Sequence, residues 1–233
     1  MEIIQRIIEW TNNNSGFLSL IIFIATIMYG WFSGLFSSLI KKPKLSIRFI
    51  EKISFYSKFN VGEQFVSNGF TYEMHKTGFV VYMCISNVGN KDTAIDKIYL
   101  GYQKNKPRRF WNKKEFVWLP QWHALTPFQS KFKNESILIF SSLRVRDNPS
   151  ENSSDFLRIG ESITGTAYFE QVKAWGNYSP LPKEDISTDI KIKIIDVYGK
   201  KYIFKYNLRN KSLKEAREFN ENFGMVENIT TYS

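Results

Sequence analysis

The sequence predicts a mainly β protein: one N-terminal transmembrane helix, an antiparallel immunoglobulin-like β-sandwich of about seven strands, and a C-terminal helix. Three observations predict it. Residues 17–40, FLSLIIFIATIMYGWFSGLFSSLI, run for 24 residues without a charged side chain. From residue 45 the apolar positions alternate with polar ones, the period of a half-buried strand. Beyond residue 211 the spacing returns to that of a helix.

The first 16 residues form a separate segment. Ile3, Ile4, Ile7 and Ile8 fall on one helical face, and the run Asn12 to Gly16 breaks the pattern. This segment is either an interfacial amphipathic helix or an extension of the span that follows.

The span itself is residues 17–40. At ~1.5 Å per residue it reaches roughly 36 Å, enough for a hydrocarbon core of about 30 Å. Lipid offers the backbone no hydrogen-bond partners, so the segment must be helical. A signal peptide would begin with basic residues and have a shorter apolar core, whereas Glu2, Arg6 and Glu9 precede this one. Lys41, Lys42 and Lys44 follow it, and positive flanks stay in the cytoplasm. The expectation is a bacterial inner-membrane protein with its N-terminus outside and its main domain in the cytoplasm. A single cysteine, Cys84, agrees with a reducing compartment. Thr26, Gly30, Gly34 and Ser38 recur every four residues, a groove that would admit a second copy of the helix.

Residues 41–44 are a short basic linker, and Pro43 ends the helix. The β domain is expected over 45–208. Its strands are placed at 45–57, 77–87, 93–103, 135–142, 161–172, 187–197 and 201–208, with 59–69 as a polar connection. In the second strand Phe79, Val81, Met83 and Ile85 face one way. In the penultimate one Ile190, Ile192 and Ile194 alternate with Lys191 and Lys193, which reads as one face buried and one wet. Tyr198-Gly199-Lys200 joins the last two strands as a hairpin, and Tyr202, Phe204, Tyr206 and Leu208 share a face. The strand count suggests a sandwich, with a small barrel as the alternative closure. Residues 209–233 supply a helix and tail. Ser212 and Glu215 fit a capping box, Leu213, Ala216, Phe219 and Phe223 give an apolar stripe, and Gly224 is a stop.

Three stretches carry a resemblance. They are Asn87-Val88-Gly89-Asn90 with Ile95 and Ile98, Leu157-Arg158-Ile159-Gly160-Glu161 before a strand, and Asp196-Val197-Tyr198-Gly199-Lys200. Over residues 77–208 this resembles bacterial immunoglobulin-like accessory domains. The whole layout is similar to small bacterial single-pass membrane proteins of unassigned function, several kinds of which accompany anti-phage systems. The resemblance implies a fold and a membrane setting, and no activity.

Function classes narrow by elimination. The net charge is +10. Residues 104–114, KNKPRRFWNKK, hold six basic residues and no acid, and they open an insertion over 104–134. An insertion this long in a compact domain is often functional. Lys104, Lys106, Arg108, Arg109, Lys113 and Lys114, with Trp111 and Trp118, have three readings. They dock on the anionic inner leaflet, they bind a phosphate-bearing ligand or single-stranded nucleic acid, or they form a solvated hairpin. His75, His123 and Cys84 lack metal-ligand spacing, and no phosphate-loop or dinucleotide motif is present. The sequence therefore predicts no cofactor and no enzyme. It predicts a membrane-anchored binding or effector protein that couples a partner or ligand near the bilayer to association of the span, with anti-phage defence as one setting; the alternatives are an accessory or scaffold subunit of a membrane complex and a tethered nucleotide- or nucleic-acid-binding module. Expected partners are the bilayer, a second copy through the span, and an unknown protein or anionic ligand, with nucleic acid as the alternative.

Overall fold

The structure, a computed structural model, describes residues 2–34, 41–105, 115–122, 126–131, 136–143, 156–171, 178–183 and 186–225. The chain divides into two compact units, residues 1–42 and residues 43–233.

The first unit holds two helices, α1 (Glu2–Asn13) and α2 (Ser15–Phe32). The expected break shrinks to one residue. Asn14 leaves the helical region (φ −120°), yet its amide donates to the Trp10 carbonyl and its carbonyl accepts from Leu18 N–H. Trp10 and Phe17 meet edge to face, with centroids 6.5 Å apart. α2 is long and apolar enough to cross a membrane, with a mean hydropathy of 1.8, a test that a signal sequence also passes.

The second unit is built on β1 (Leu45–Ser67), β2 (Phe70–Asn87), β3 (Thr93–Gln103), β4 (Phe116–Pro120), β5 (Phe128–Lys131), β6 (Ile137–Phe140), β7 (Phe156–Leu157), β8 (Ser162–Glu170), β9 (Ser187–Asp196) and β10 (Lys201–Asn210). One helix, α3 (Leu213–Phe219), follows. Strand makes up 55% of the described residues, so the mainly β expectation holds.

Of the polar connection expected at 59–69, residues 59–67 are strand and only Asn68 and Gly69 are turn. β1 and β2 pair from Leu45↔Asn87 out to Ser67↔Phe70 and turn through Asn68 (φ 51°) and Gly69 (φ 80°). Both turn residues have positive φ, the geometry that an Asn-Gly pair tolerates and that matches the twist of the strands it joins.

Seven of the strands order as β4-β3-β9-β10-β1-β2-β8, and β7 adds to β3. β1 joins two groups. It is antiparallel to β2 and runs parallel to β10 at Phe55↔Arg209 and Tyr56↔Asn210. The sheet curls until its ends approach: Trp122, just past β4, donates its amide to the Tyr168 carbonyl of β8 (2.8 Å).

The concave side is the main core. Phe79, Val81, Met83 and Ile85 of β2 meet Leu100 and Tyr102 of β3 and Ile190, Ile192 and Ile194 of β9, as the alternation predicts. Phe79 stacks on Tyr102 at 5.3 Å, and Phe49 of β1 stacks on Tyr206 of β10 at 4.3 Å. A bulge between Ile95 and Lys97 shifts the alternation by one, so Ile95 and Ile98 both point inward. Each fully buried side chain of this size contributes roughly 1.5–3 kcal/mol. Burial pushes the Tyr102 phenol up to about 12.

A second core covers the convex side of β1, β2 and β8. Ile53, Phe55, Phe59, Val80 and Tyr168 lie under Phe128 and Phe140 of the β5–β6 hairpin and under Ala216 and Phe223. α3 starts where the capping box predicts, with Glu215 N–H donating to Ser212 Oγ. It packs on the sheet as its stripe requires, Phe219 lying 5.5 Å from Phe55.

Candidate functional site

The candidate site is the convex face of the other group, β4-β3-β9-β10. Because Ile190, Ile192 and Ile194 point inward, Lys191 and Lys193 must point outward. Their neighbours follow from the register. Lys193 lies between Tyr99 and Ile203, and Lys191 lies between Gly101 and Lys205. On β4, Trp118 is opposite Gly101 and Phe116 is opposite Gln103.

The side chains meet as these rows demand. Lys193 Nζ sits over the Trp118 ring at 4.1 Å and over the Tyr99 ring at 4.5 Å. Lys191 Nζ sits over the Phe116 ring at 3.9 Å. Phe116 and Trp118 are 6.5 Å apart and inclined by 30°. The indole can lie against β3 because residue 101 is glycine: a Cβ there would stand 2.7 Å from Trp118 Cζ3. Each ring thus has an ammonium group over it. Such contacts are worth about 0.5–1 kcal/mol at exposed sites. Burial against the rings, and then the charge of Lys201, hold the Lys193 ammonium below the ordinary lysine range. Asp189, on the same face, is taken up by Asn207 (2.9 Å) and Lys183 (3.9 Å). The result is two ammonium groups held over rings, that of Lys193 partly dehydrated, which suits an anion approaching from solvent.

The sequence-predicted residues separate. Trp118 belongs to this face. Lys104 does not: it pairs with Glu115 at 3.0 Å and lies over the Tyr178 ring at 4.1 Å. Lys106, Arg108, Arg109, Trp111, Lys113 and Lys114 lie outside the described residues, as does His123. Their segment connects β3 to β4, whose ends pair through Lys104 N–H and the Glu115 carbonyl (3.2 Å). Of the small-residue stripe, Thr26 and Gly30 are on α2. Gly34 stands beyond the end of that helix with φ 76°, and Ser38 lies outside the described residues. Lys41, Lys42 and Lys44 are exposed on either side of a buried Pro43.

Tyr99, Phe116, Lys191, Lys193 and Lys205 were not among the predicted site residues. The available signals were the outward lysines of β9 and the alternation Phe116-x-Trp118; only the strand register brings them together. No group of three or more His, Cys, Asp or Glu side chains that could hold a metal occurs among the described residues. Cys84 is buried on β2, with Thr164, Ser86, Ser162 and Arg48 as its neighbours. Those neighbours are hydroxyls and a guanidinium, not a general base.

The chain matches no protein-family model and no curated protein sequence. Among solved structures it is similar to the X-ray structure of Northeast Structural Genomics Consortium target SoR45, at 8% identity over 72% of this chain and 84% of that one. The TM-score is 0.24, too low to carry an argument.

Proposed function

We propose that the protein is a membrane-anchored, non-enzymatic binding protein whose β domain takes an anionic partner or ligand on the Lys191–Lys193 face. One observation carries the reading: lysines of β9 stand over the rings of β3 and β4 in strand register. α2 supplies the anchor, and Lys41, Lys42 and Lys44 favour a cytoplasmic domain in a bacterial inner membrane. Association of a second copy along the Thr26 and Gly30 side of α2 would couple binding to assembly. The strand groups β4-β3-β9-β10 and β1-β2-β8 are taken as the two sheets of an immunoglobulin-like sandwich, with β1 passing between them.

The rings act as supports and not as stacking platforms. The indole lies close against Gly101 of β3 and has Lys193 Nζ over its ring, which limits the room for a base to stack on it. This favours an acidic protein surface or another non-stacking anion over single-stranded nucleic acid. The test uses full-length protein in nanodiscs at low ionic strength, with labelled polyglutamate and labelled oligothymidine as probes. Polyglutamate should bind, and Lys191→Glu with Lys193→Glu should abolish binding. Tighter binding of oligothymidine would shift the reading to nucleic acid. No binding of either probe would end it.

A further inference from the structure

The chain enters the β domain at Pro43, and three turns close around that point. The Pro43 carbonyl accepts from Tyr202 Oη (2.9 Å) and Lys200 Nζ (3.0 Å). The next carbonyl, of Lys44, accepts the Val88 amide (2.8 Å). Buried Asn87 ties the turns together, its side-chain amide donating to the carbonyls of Lys91 (2.8 Å) and Leu157 (3.1 Å). Tyr198 Oη reaches the Asp92 carbonyl (3.2 Å). Residues 87–92, 158–161 and 196–200 therefore form one rigid end of the domain.

The outward composition of this end is unusual for polar turns. Val88, Ile159 and Tyr198 are 56%, 57% and 54% exposed, one on each turn. The carboxylates of the same turns are engaged with backbone. Asp92 accepts from Ile159 N–H, Glu161 from Arg158 N–H, and Asp196 from Tyr198 N–H and Lys200 N–H. Lys91 and Arg158 are exposed beside the apolar tips, with Lys91 Nζ 4.3 Å over the Tyr198 ring. Isolated exposed apolar residues are ordinary, but three on joined turns among cations are the composition of a surface that meets lipid headgroups.

Chain continuity identifies the occupant. The uncharged run ends at Ile40, three residues before Pro43, a reach of about 10 Å at most. We propose that this end of the β domain is a bilayer-docking rim, with Val88, Ile159 and Tyr198 entering the headgroup region of an anionic leaflet and Lys91 and Arg158 meeting lipid phosphates. The proposal rests on the reading of α2 as a membrane anchor. It adds to that reading a second membrane contact, made by the turns of the β domain itself and separate from the Lys191–Lys193 face.

The test uses the full chain, with Cys84→Ser, reconstituted in nanodiscs of phosphatidylglycerol or phosphatidylcholine. Val88→Cys or Ile159→Cys carries an environment-sensitive fluorophore, and the lipids carry a quencher at headgroup depth. Val66→Cys is the control. It is 66% exposed, at the opposite end of the β1–β2 ribbon. The expected result is loss of most emission at 88 and 159 in the anionic discs, a smaller loss in the zwitterionic ones, and none at 66. Equal quenching at 66, or none at 88 and 159, overturns the rim while leaving the anchor intact. Extraction of the protein from cell membranes by alkaline carbonate overturns the anchor reading and the rim with it.

Discussion

The two strand groups of the β domain bury their concave faces in one core and treat their convex faces in opposite ways. On β1, β2 and β8 the convex face carries Ile53, Phe55, Phe59 and Val80, and the chain returns twice to cover it, with the β5–β6 hairpin and with α3. On β3, β4, β9 and β10 the convex face carries lysines set over Tyr99, Phe116 and Trp118, and no described helix or hairpin covers it. Apolar outward residues demand a cover, because leaving them wet forfeits roughly 25 cal/mol for each Å². Lysines over rings do not, since the side chain shields the aromatic carbon while its ammonium group still reaches water in part. The covered face is thus explained by folding alone, whereas the lysine face, among the described residues, carries charge that the core does not require.

The largest predicted effect breaks the covered face. Phe55 is fully buried between Phe219 and Phe223, with centroids at 5.5 and 5.7 Å. Phe55→Ala should cost about 3–5 kcal/mol, the usual range for deleting a buried ring. Guanidinium unfolding of the full chain in detergent, followed by near-ultraviolet circular dichroism, measures it. A loss below about 1 kcal/mol, the range of exposed positions, would mean that α3 is not a true cover.

A middle-sized effect comes from the support of the open face. Gly101→Val places side-chain carbon where Trp118 now rests, so the indole must lift. Overpacking of this kind costs about 1–3 kcal/mol. The sharper readout is optical: the Trp118 emission should shift to the red as the ring leaves β3 and Lys193. That is measured as the difference between Gly101→Val and a Gly101→Val, Trp118→Phe double variant. An unshifted spectrum would show that the ring is not held by the strand.

Legibility in the sequence divides along the same line. The concave core was legible, because alternation in β2 and β9 names Phe79, Val81, Met83, Ile190, Ile192 and Ile194 without any knowledge of partners. The long apolar helix near the N-terminus and the capping box were legible for the same local reason. The covered face was half legible. α3 was expected against the sheet, but Phe128 fell within what read as an insertion, and four-residue strands such as β5 give too few positions to show a period. The candidate site was the least legible. Trp118 stood out through its basic neighbours, yet Lys104, beside it in that reading, is committed to Glu115. Lys191 and Lys193 looked like ordinary wet-side residues. What makes them a site is the β3–β9 register, and register is a long-range property that local spacing does not encode.

The smallest effect on stability is the most telling for function. At Lys193 opposing terms meet. The rings of Trp118 and Tyr99 favour the ammonium, while burial and Lys201 disfavour it and lower its affinity for the proton. A depressed lysine means that the unfolded chain binds this proton more tightly. The group therefore detracts from stability below its folded-state value, and the loss is recovered as pH rises toward the ordinary lysine range of 10.5. Lys193→Met keeps the stem over the indole and removes both charge terms. It should move the unfolding free energy at neutral pH by less than about 0.5 kcal/mol in either direction, as expected for a surface change without a structural role. The same variant should lose polyglutamate binding, while Lys104→Met, which removes a lysine already paired with Glu115, should retain it. A large destabilisation by Lys193→Met would make the lysine a lid for Trp118 rather than a contact for a partner, and the open face would then be as fully accounted for by folding as the covered one.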